Sequence, residues 1–567
     1  MQTTKQIPQK QTQINKLRII PIGGLDEVGR NMTIVEYKNN ILIIDMGLQF
    51  PDEDMPGIDY IIPNIDYLRG KEGNIRGVIL THGHMDHIGA IPHLMQELGN
   101  PPIFTAALTR GMILKKQEEY PKSPKLKIKT IKPNDKIDLK PFKLEFFHVN
   151  HSIPDALGIV IQTPEGAIVH TGDFKFDHSP ITDKPADIAR IAEIGNLKPL
   201  VLMSDSTDAE TPGYSVSERE IQNNLEDIFK RARGRIIAVT FSSLIARVQE
   251  IVNLSEKYQR KLVLDGYSMR TNAEIALKLK YLKIKPGTLI KTVQANKMQD
   301  RKVVVLATGA QGEENASLMR IVNREHKYLQ IHKADTVVLS SSVIPGNERT
   351  VQGLKDALYR QGARVVDYKM MGIHAGGHAR EEDLKMMLNL IKPKFFIPIH
   401  GTYYMRKVHG EIAQSVDIPW QNIFVIGNGT ILEFSRGRAE KLKEKANTNY
   451  VMVDGLGVGD VKNVVIRDRQ MMGKDGMFVI IVIVQSKTHK IYKSPQIMSR
   501  GFVYVKDSAG LMNETKKETI KIVEKNTSKN NALNWSYLQK ELRNKIGEFL
   551  YKKTQKRPMV LPMVVEV

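Results

Sequence analysis

A chain of 567 residues, 41% hydrophobic and 26% charged, has the composition of an ordinary globular protein and is too long for one core, so about two to four domains are expected. With no cysteine, a disulfide framework, a thiolate metal site and a cysteine nucleophile are excluded, and no apolar run is long enough to span a bilayer. The net charge of +21 calls for an anionic partner, nucleic acid before a membrane surface, weighed evenly against a coding bias toward lysine.

Residues 1–16 are polar and glutamine-rich without an apolar core. They read as a disordered tail, neither signal peptide nor anchor, and a cytoplasmic protein follows. Residues 17–22, 33–37 and 41–44 are short apolar runs separated by Gly23-Gly24 and Asn39-Asn40, and are predicted as strands. Asp45 closes the third run, either as a turn residue or as a buried carboxylate. The run Val78-Ile79-Leu80 reads as a buried strand and leads into His82-Gly83-His84-Met85-Asp86-His87. Side chains alternate along an extended segment, so His82 and His84 point to one side and can reach one cation. Asp86 and His87 turn the corner and can reach a second. A His-rich surface loop is the plain alternative, which four candidate ligands at one strand end outweigh. Imidazole and carboxylate without thiolate suit Zn²⁺, with Mn²⁺ as the other option. The pattern H-x-H-x-D-H resembles the signature of the metallo-β-lactamase superfamily.

Further candidate ligands stand at strand ends downstream. His151 lies in Phe146-Phe147-His148-Val149-Asn150-His151 and Asp173 in His170-Thr171-Gly172-Asp173. Alone, each would be an ordinary loop residue; after the first motif, His151 supplies a third imidazole and Asp173 can bridge both ions. From residue 201 apolar strands alternate with helical patterns such as 218–231, which predicts a parallel sheet with its loops at the C-terminal edge. Residues 205–368 read as a second α/β domain. His374, His378 and His400 then return to strand ends, the last two with glycine beside the imidazole, which lets a backbone approach a phosphate. Residues 436–447 read as a linker or exposed helix. The remainder reads as a small α+β interaction domain. It has strands at 477–484, 501–505 and 560–567, a helix at 513–525, and a second helix with apolar positions Trp535, Leu538, Leu542, Ile546 and Phe549.

Taken together these motifs resemble the ribonuclease J family, the β-CASP branch of the metallo-β-lactamase superfamily, over nearly the whole chain. The residues that carry the resemblance are the runs 23–31, 82–87, 150–155, 204–207, 340–348, 397–401, 453–461 and 498–501. The resemblance implies an α/β architecture: a metallo-β-lactamase αββα sandwich in two parts (17–204 and 371–435), an inserted β-CASP domain (205–370), a linker (436–460) and a C-terminal α+β domain (461–567). It implies a zinc-dependent ribonuclease of RNA maturation and mRNA decay, an endonuclease that extends to 5′→3′ exonuclease action. One zinc would take His82, His84, His151 and Asp173, and the other Asp86, His87, His400 and the shared Asp173. Asp45 would orient a metal-bound histidine. His378 would bind the scissile phosphate or protonate the leaving oxygen, with Asp205 supporting it. Phe241, Ser242, Ser243, Arg247, Ser268 and the loop His374-Ala375-Gly376-Gly377-His378 would hold the RNA. A structural Ca²⁺ would sit near Gly57, Asp59 and Asp454. The partners implied are RNA and further copies, as a homodimer or homotetramer or as a hetero-oligomer with a paralogue, made partly through the tail.

The chain departs from the family pattern around the substrate. The usual Ser-Asn-x-His-Arg is Ser243-Leu244-Ile245-Ala246-Arg247, Gly-Arg-Ser-Met is Gly266-Tyr267-Ser268-Met269, and Gly-Glu-Pro is Gly312-Glu313-Glu314. A serine of the His374 loop is Gly376, and His-Gly-Glu-Tyr-Arg is His400-Gly401-Thr402-Tyr403-Tyr404. Every ligand is kept, so hydrolysis is expected with weakened capture of a 5′-monophosphate end. The alternative is a weakly active RNA-binding subunit of a hetero-oligomer with an active paralogue. A small-molecule hydrolase ranks last, because it explains neither the inserted domain nor the charge.

Overall fold

A computed structural model describes residues 16–52, 54–313, 315–343, 347–455, 457–459, 463–502, 508–527 and 535–567. The predicted tail apart from Lys16, and residues 503–505 of a predicted strand, lie outside them. The chain divides into two units, residues 1–49 with 61–451, and residues 50–60 with 452–567.

In the first unit, runs of β-branched and aromatic residues pair into two sheets. Leu17–Gly23, Met32–Tyr37 and Asn40–Ile44 form an antiparallel meander that continues in parallel through Ile75–Ile79, Ile103–Thr105 and Ile128–Thr130. The second sheet runs in the order Phe395–Ile399, Val201–Asp205, Gly166–His170, Leu157–Thr163, Phe142–His148 and Lys136–Leu139. Their inner faces share one core, in which Leu17, Ile19 and Ile44 meet Phe146, Ile159, Val201 and Ile397. Helices Ile188–Gly195, Glu381–Ile391 and Tyr403–Ser415 cover the outer face of the second sheet through Ile191, Leu388 and Ile412. Residues 436–447 do not form a linker helix. They contain the strand Arg438–Lys445, paired antiparallel with Thr430–Ser435 at the edge of the first sheet. Its alternating Lys and Glu side chains looked like a solvated helix, but a charged edge strand has the same composition because it resists further pairing.

Val201–Asp205 and Phe395–Ile399 are parallel neighbours in one sheet, yet most of a domain lies between them in sequence. That insertion builds a wholly parallel sheet in the order Lys261–Leu264, Val303–Ala307, Ile236–Val239, Thr336–Leu339 and Arg364–Asp367. Its strands are near-continuous Val, Ile and Leu because both faces are covered. Leu225, Ile251 and Ala273 pack on one side, and Leu318, Leu354 and Leu358 on the other.

The second unit holds a three-stranded sheet, Ile491–Arg500, Met477–Val484 and Met559–Glu566, with helices Ala509–Thr527 and Trp535–Thr554. Met477–Val484 is not buried on both faces: Phe478, Ile480, Val482 and Val484 are buried while the alternate residues are half-buried. The helix stripe Leu538, Leu542, Ile546 and Leu550 closes this unit's own core, so that face is not free for another subunit.

Candidate metal centre

The elements converge on two groups of side chains, His82, His84, His151 and Asp173, and Asp86, His87, Asp173 and His400. Each member comes from the end of a strand or the turn after it. Extended backbone at His84 precedes the short helix Met85–Ile88, and that change of direction separates the first pair of ligands from Asp86 and His87. Asp45 and His400 both adopt left-handed backbone, at φ 61° and 52°, which re-aims their side chains at the centre.

His84 Nδ1 lies 3.0 Å from both His82 Nε2 and His151 Nε2. Asp173 Oδ2 sits between the groups, 3.7 Å from His82 Nε2, 3.8 Å from His151 Nε2, 3.2 Å from His87 Nε2 and 3.7 Å from His400 Nε2. Asp86 Oδ2 lies 3.3 Å from His87 Nε2 and 3.2 Å from His400 Nε2. Ligands about 2.0–2.1 Å from a tetrahedral ion stand roughly 3.3 Å apart, and these spacings bracket that value.

The outer nitrogens fix which atoms face inward. His151 Nδ1 donates to the carbonyl of Gly377 at 2.6 Å; a carbonyl only accepts, so Nε2 carries a bare lone pair. His87 Nδ1 faces Asp45 Oδ2 at 2.7 Å and His400 Nδ1 faces Thr207 Oγ1 at 2.5 Å. Asp45 is itself held by the N–H of Thr81 at 2.8 Å and by its hydroxyl. Five imidazoles and two carboxylates gathered at these spacings form a donor set that fits divalent cations.

The two halves differ electrically. Burial pushes His82 and His151 well below the usual imidazole range, and His84 down to about 4. Against burial, Asp173, Asp86 and Asp45 hold His87 well above that range, and Asp173 with Asp205 and Asp86 takes His400 up to about 10. The carboxylate-rich half therefore demands positive charge, while the histidine half presents neutral nitrogens.

Beside the ligands, His378 Nδ1 lies 2.7 Å from Asp205 Oδ2, and its ring stacks on His400 with centroids 5.5 Å apart. Against burial, Asp205 and Asp173 push His378 up to about 9.

The remaining residues singled out in the sequence take several places. Phe241, Ser242 and Ser268 line a cavity of about 720 Å³ at the C-terminal edge of the inserted sheet, together with Tyr267, Arg270, Arg320 and Lys327. Ser243 is half-buried beside them. Leu244 and Ile245, where the family pattern has polar residues, are buried. Arg247, expected at the RNA, is fully buried and faces Glu218 and Glu250; it has no surface to offer a substrate. His374 is half-buried, Ala375 packs into the inserted core, and Gly376 and Gly377 press on Asp208 and His151, where a Cβ would come within 2.8 and 2.5 Å.

Gly57, Asp59 and Asp454 are engaged otherwise than expected. Arg469 Nη1 donates to Gly57 O at 3.0 Å and Nη2 meets Asp454 Oδ2 at 2.5 Å, while Asp59 Oδ2 accepts the Gly455 N–H at 2.7 Å. An internal guanidinium stands where Ca²⁺ was expected, so these residues as arranged do not fit the ion.

Asn31 and Thr207 went unassigned in the sequence. The Asn31 amide lies 3.1 Å from Asp86 O and 3.2 Å from His87 Nε2, and Thr207 joins His400 to Asp205. Both fall in runs that carry the family resemblance, which was the available signal.

Fold and site together define a metal-dependent hydrolase of the metallo-β-lactamase superfamily, whose model matches residues 25–230. The models for the ribonuclease J β-CASP domain and the ribonuclease J C-terminal domain match residues 233–358 and 464–567. The chain is 36% identical over 558 residues to ribonuclease J2 of Bacillus subtilis (strain 168), covering 98% of this chain and 100% of that one. It is 37% identical over 551 residues to ribonuclease J 1 of Streptococcus pyogenes serotype M3, covering 97% and 98%. A structure of a protein of unknown function from Enterococcus faecalis V583 shares the fold at a TM-score of 0.54 and 17% identity, covering 75% of this chain and 100% of that one. The chain belongs to the ribonuclease J family and is thus a metal-dependent ribonuclease. Among the described residues no helix is long and apolar enough to cross a membrane.

Proposed function

We propose that this ribonuclease cuts RNA phosphodiester bonds with two zinc ions per subunit, as an endonuclease whose 5′→3′ exonuclease action is weakened, in cytoplasmic RNA maturation and mRNA decay. One observation carries the reading: Asp173 Oδ2 lies within 3.8 Å of four imidazole nitrogens belonging to two ligand groups. When bound, the ions lower the pKa of a water and neutralise charge on the phosphoryl oxygens. The chain's residues do the rest. Asp45 and the Gly377 carbonyl hold the His87 and His151 rings at one tautomer. His378, held positive by Asp205, stands beside the ligand groups as a donor to the phosphate or to the leaving oxygen.

Arg270, Arg320 and Lys327 give the cavity of the inserted domain a charge that suits a phosphodiester backbone, and Tyr267 and Tyr328 line it as surfaces for stacked bases. Tyrosine in place of arginine at 267 removes a fork for a terminal phosphate, which supports weaker 5′-end capture. Assembly through the C-terminal sheet is part of the same proposal. Val479, Ile481 and Ile483 lie in register with Leu561, Met563 and Val565 on the face turned away from the helices, and Met563 and Val565 are exposed.

The test is decay of a 5′-monophosphorylated RNA by zinc-loaded protein, beside the 5′-triphosphorylated RNA and a His84→Ala control. Internal cuts at similar rates on both RNAs, lost in the control, are expected. Rapid decay confined to the monophosphate end would overturn the weakened-exonuclease part. Tight binding without cleavage would favour the subunit role instead.

A further inference from the structure

Residues 373–378 are tied at both ends. At one end the Gly377 carbonyl accepts from His151 at 2.6 Å and His378 meets Asp205 at 2.7 Å. At the other, the Ile373 carbonyl accepts from Arg247 Nη1 at 2.7 Å and from Ser340 Oγ at 2.6 Å. The same Arg247 Nη1 also donates to the Ser340 hydroxyl.

Arg247 lies in the first turn of the helix Ile245–Lys257. Its Nη2 donates to Glu218 Oε2 at 2.8 Å and its Nε lies 2.8 Å from Glu250 Oε2. Glu218 has a second cation, Lys175, with Nζ at 3.1 Å. Lys175 follows Asp173 by two positions, and its own N–H donates at 2.8 Å to the carbonyl of Asn150, next to His151. A buried run of alternating charges thus leaves the strand ends that carry two ligands, passes through Glu218 and Arg247, and returns along the loop to His151.

Resting on the functional reading above, we propose that Arg247 is a positioning residue, which sets the 373–378 loop so that the Gly377 carbonyl fixes the His151 ring. A guanidinium offers donors in fixed directions and stays charged, so it can face two carboxylates and a carbonyl at once; an ammonium is a point charge that cannot span them. Gly377 lets the loop come this close, because a Cβ there would lie 2.5 Å from the His151 ring. Partners outside the ligand set hold ring orientation, and losing one costs about 10–100-fold in metal affinity or activity.

The experiment compares Arg247→Lys and Ser340→Ala with the wild type in zinc affinity, by competition with a chromogenic chelator, single-turnover RNA cleavage at saturating RNA, RNA affinity and thermal unfolding. Arg247→Lys is expected to bind zinc roughly tenfold more weakly and to cleave more slowly by a similar factor, with RNA affinity unchanged. Ser340→Ala should move the same two quantities by about threefold, because Arg247 still holds the carbonyl. A folded Arg247→Lys protein with wild-type zinc affinity and rate would overturn the proposal. So would a loss of RNA affinity alone, which would return Arg247 to the substrate. Where Arg247→Lys does not fold, Ser340→Ala decides, and unchanged zinc affinity and rate sink the idea. Zinc affinity is read without RNA, so a wild-type protein that fails to cleave defeats the functional reading and not this one.

Discussion

Two buried polar regions of this protein treat charge in opposite ways. Around Arg247 the cations and anions face each other: Lys175, Glu218 and Arg247 are buried and hydrogen-bonded in series, and Arg247 Nε lies 2.8 Å from the buried Glu250 Oε2. Around Asp173 the nitrogens of five imidazole rings and the oxygens of two carboxylates gather at one place. A closed network is bought at the cost of desolvation and gives geometry; an open one keeps its donors for something that is not protein. Burial alone therefore does not mark a functional site. What marks it is whether the buried groups satisfy each other.

The comparison breaks most visibly at its open end. Asp173→Asn removes the charge of the residue common to both ligand groups, and RNA cleavage should fall by on the order of 10³-fold or more, with zinc content dropping by metal analysis. His378→Ala leaves all seven candidate ligands in place. Its single-turnover rate should fall by about 10²–10⁴-fold with zinc content unchanged. Asp45→Ala reaches the candidate ligands through the outer nitrogen of His87 and also frees Thr81; it should weaken zinc binding by roughly 10–100-fold in a chelator competition.

The closed end also answers in stability. Against burial, Arg247 and Lys175 hold the Glu218 carboxyl down to about 2, from an ordinary 4.5. A depressed carboxyl contributes stability that is present above the unfolded value and lost as pH falls through the folded one. Unfolding midpoints should therefore drop between about pH 4.5 and 2, and Glu218→Gln should cost on the order of 3 kcal/mol at neutral pH while flattening that acid limb. Denaturant melts at pH 7 and about pH 3 separate these outcomes.

How much of this could be read from the sequence follows from how each region is built. The 82–87 cluster, His151 and Asp173 sit at ends of apolar runs, and strand ends converge in such a fold, so their meeting was legible; that Asp45 and His400 join them was implied by the family resemblance. The Arg247 network was not. Its partners come from positions 175, 218, 250, 340 and 373, and nothing local says that a helix register turns an arginine inward. Arg469 was missed for the same reason, since its acceptors Gly57 and Asp454 are far apart in sequence. The edge strand Arg438–Lys445 was misread because its charge pattern fits helix and edge alike. The parallel pairing of Met477–Val484 with Met559–Glu566 depends on chain direction, which periodicity does not encode.

The order in which the chain is made adds a last consequence. Asp205 ends a strand of the second sheet just before the insertion, and its partner His378 returns 173 residues later, with His400 later still. A growing chain thus holds His82, His84, Asp86, His87 and Asp173 early, but the contact of Asp205 with His378 and the candidate group that includes His400 can close only after the whole insertion has been synthesised.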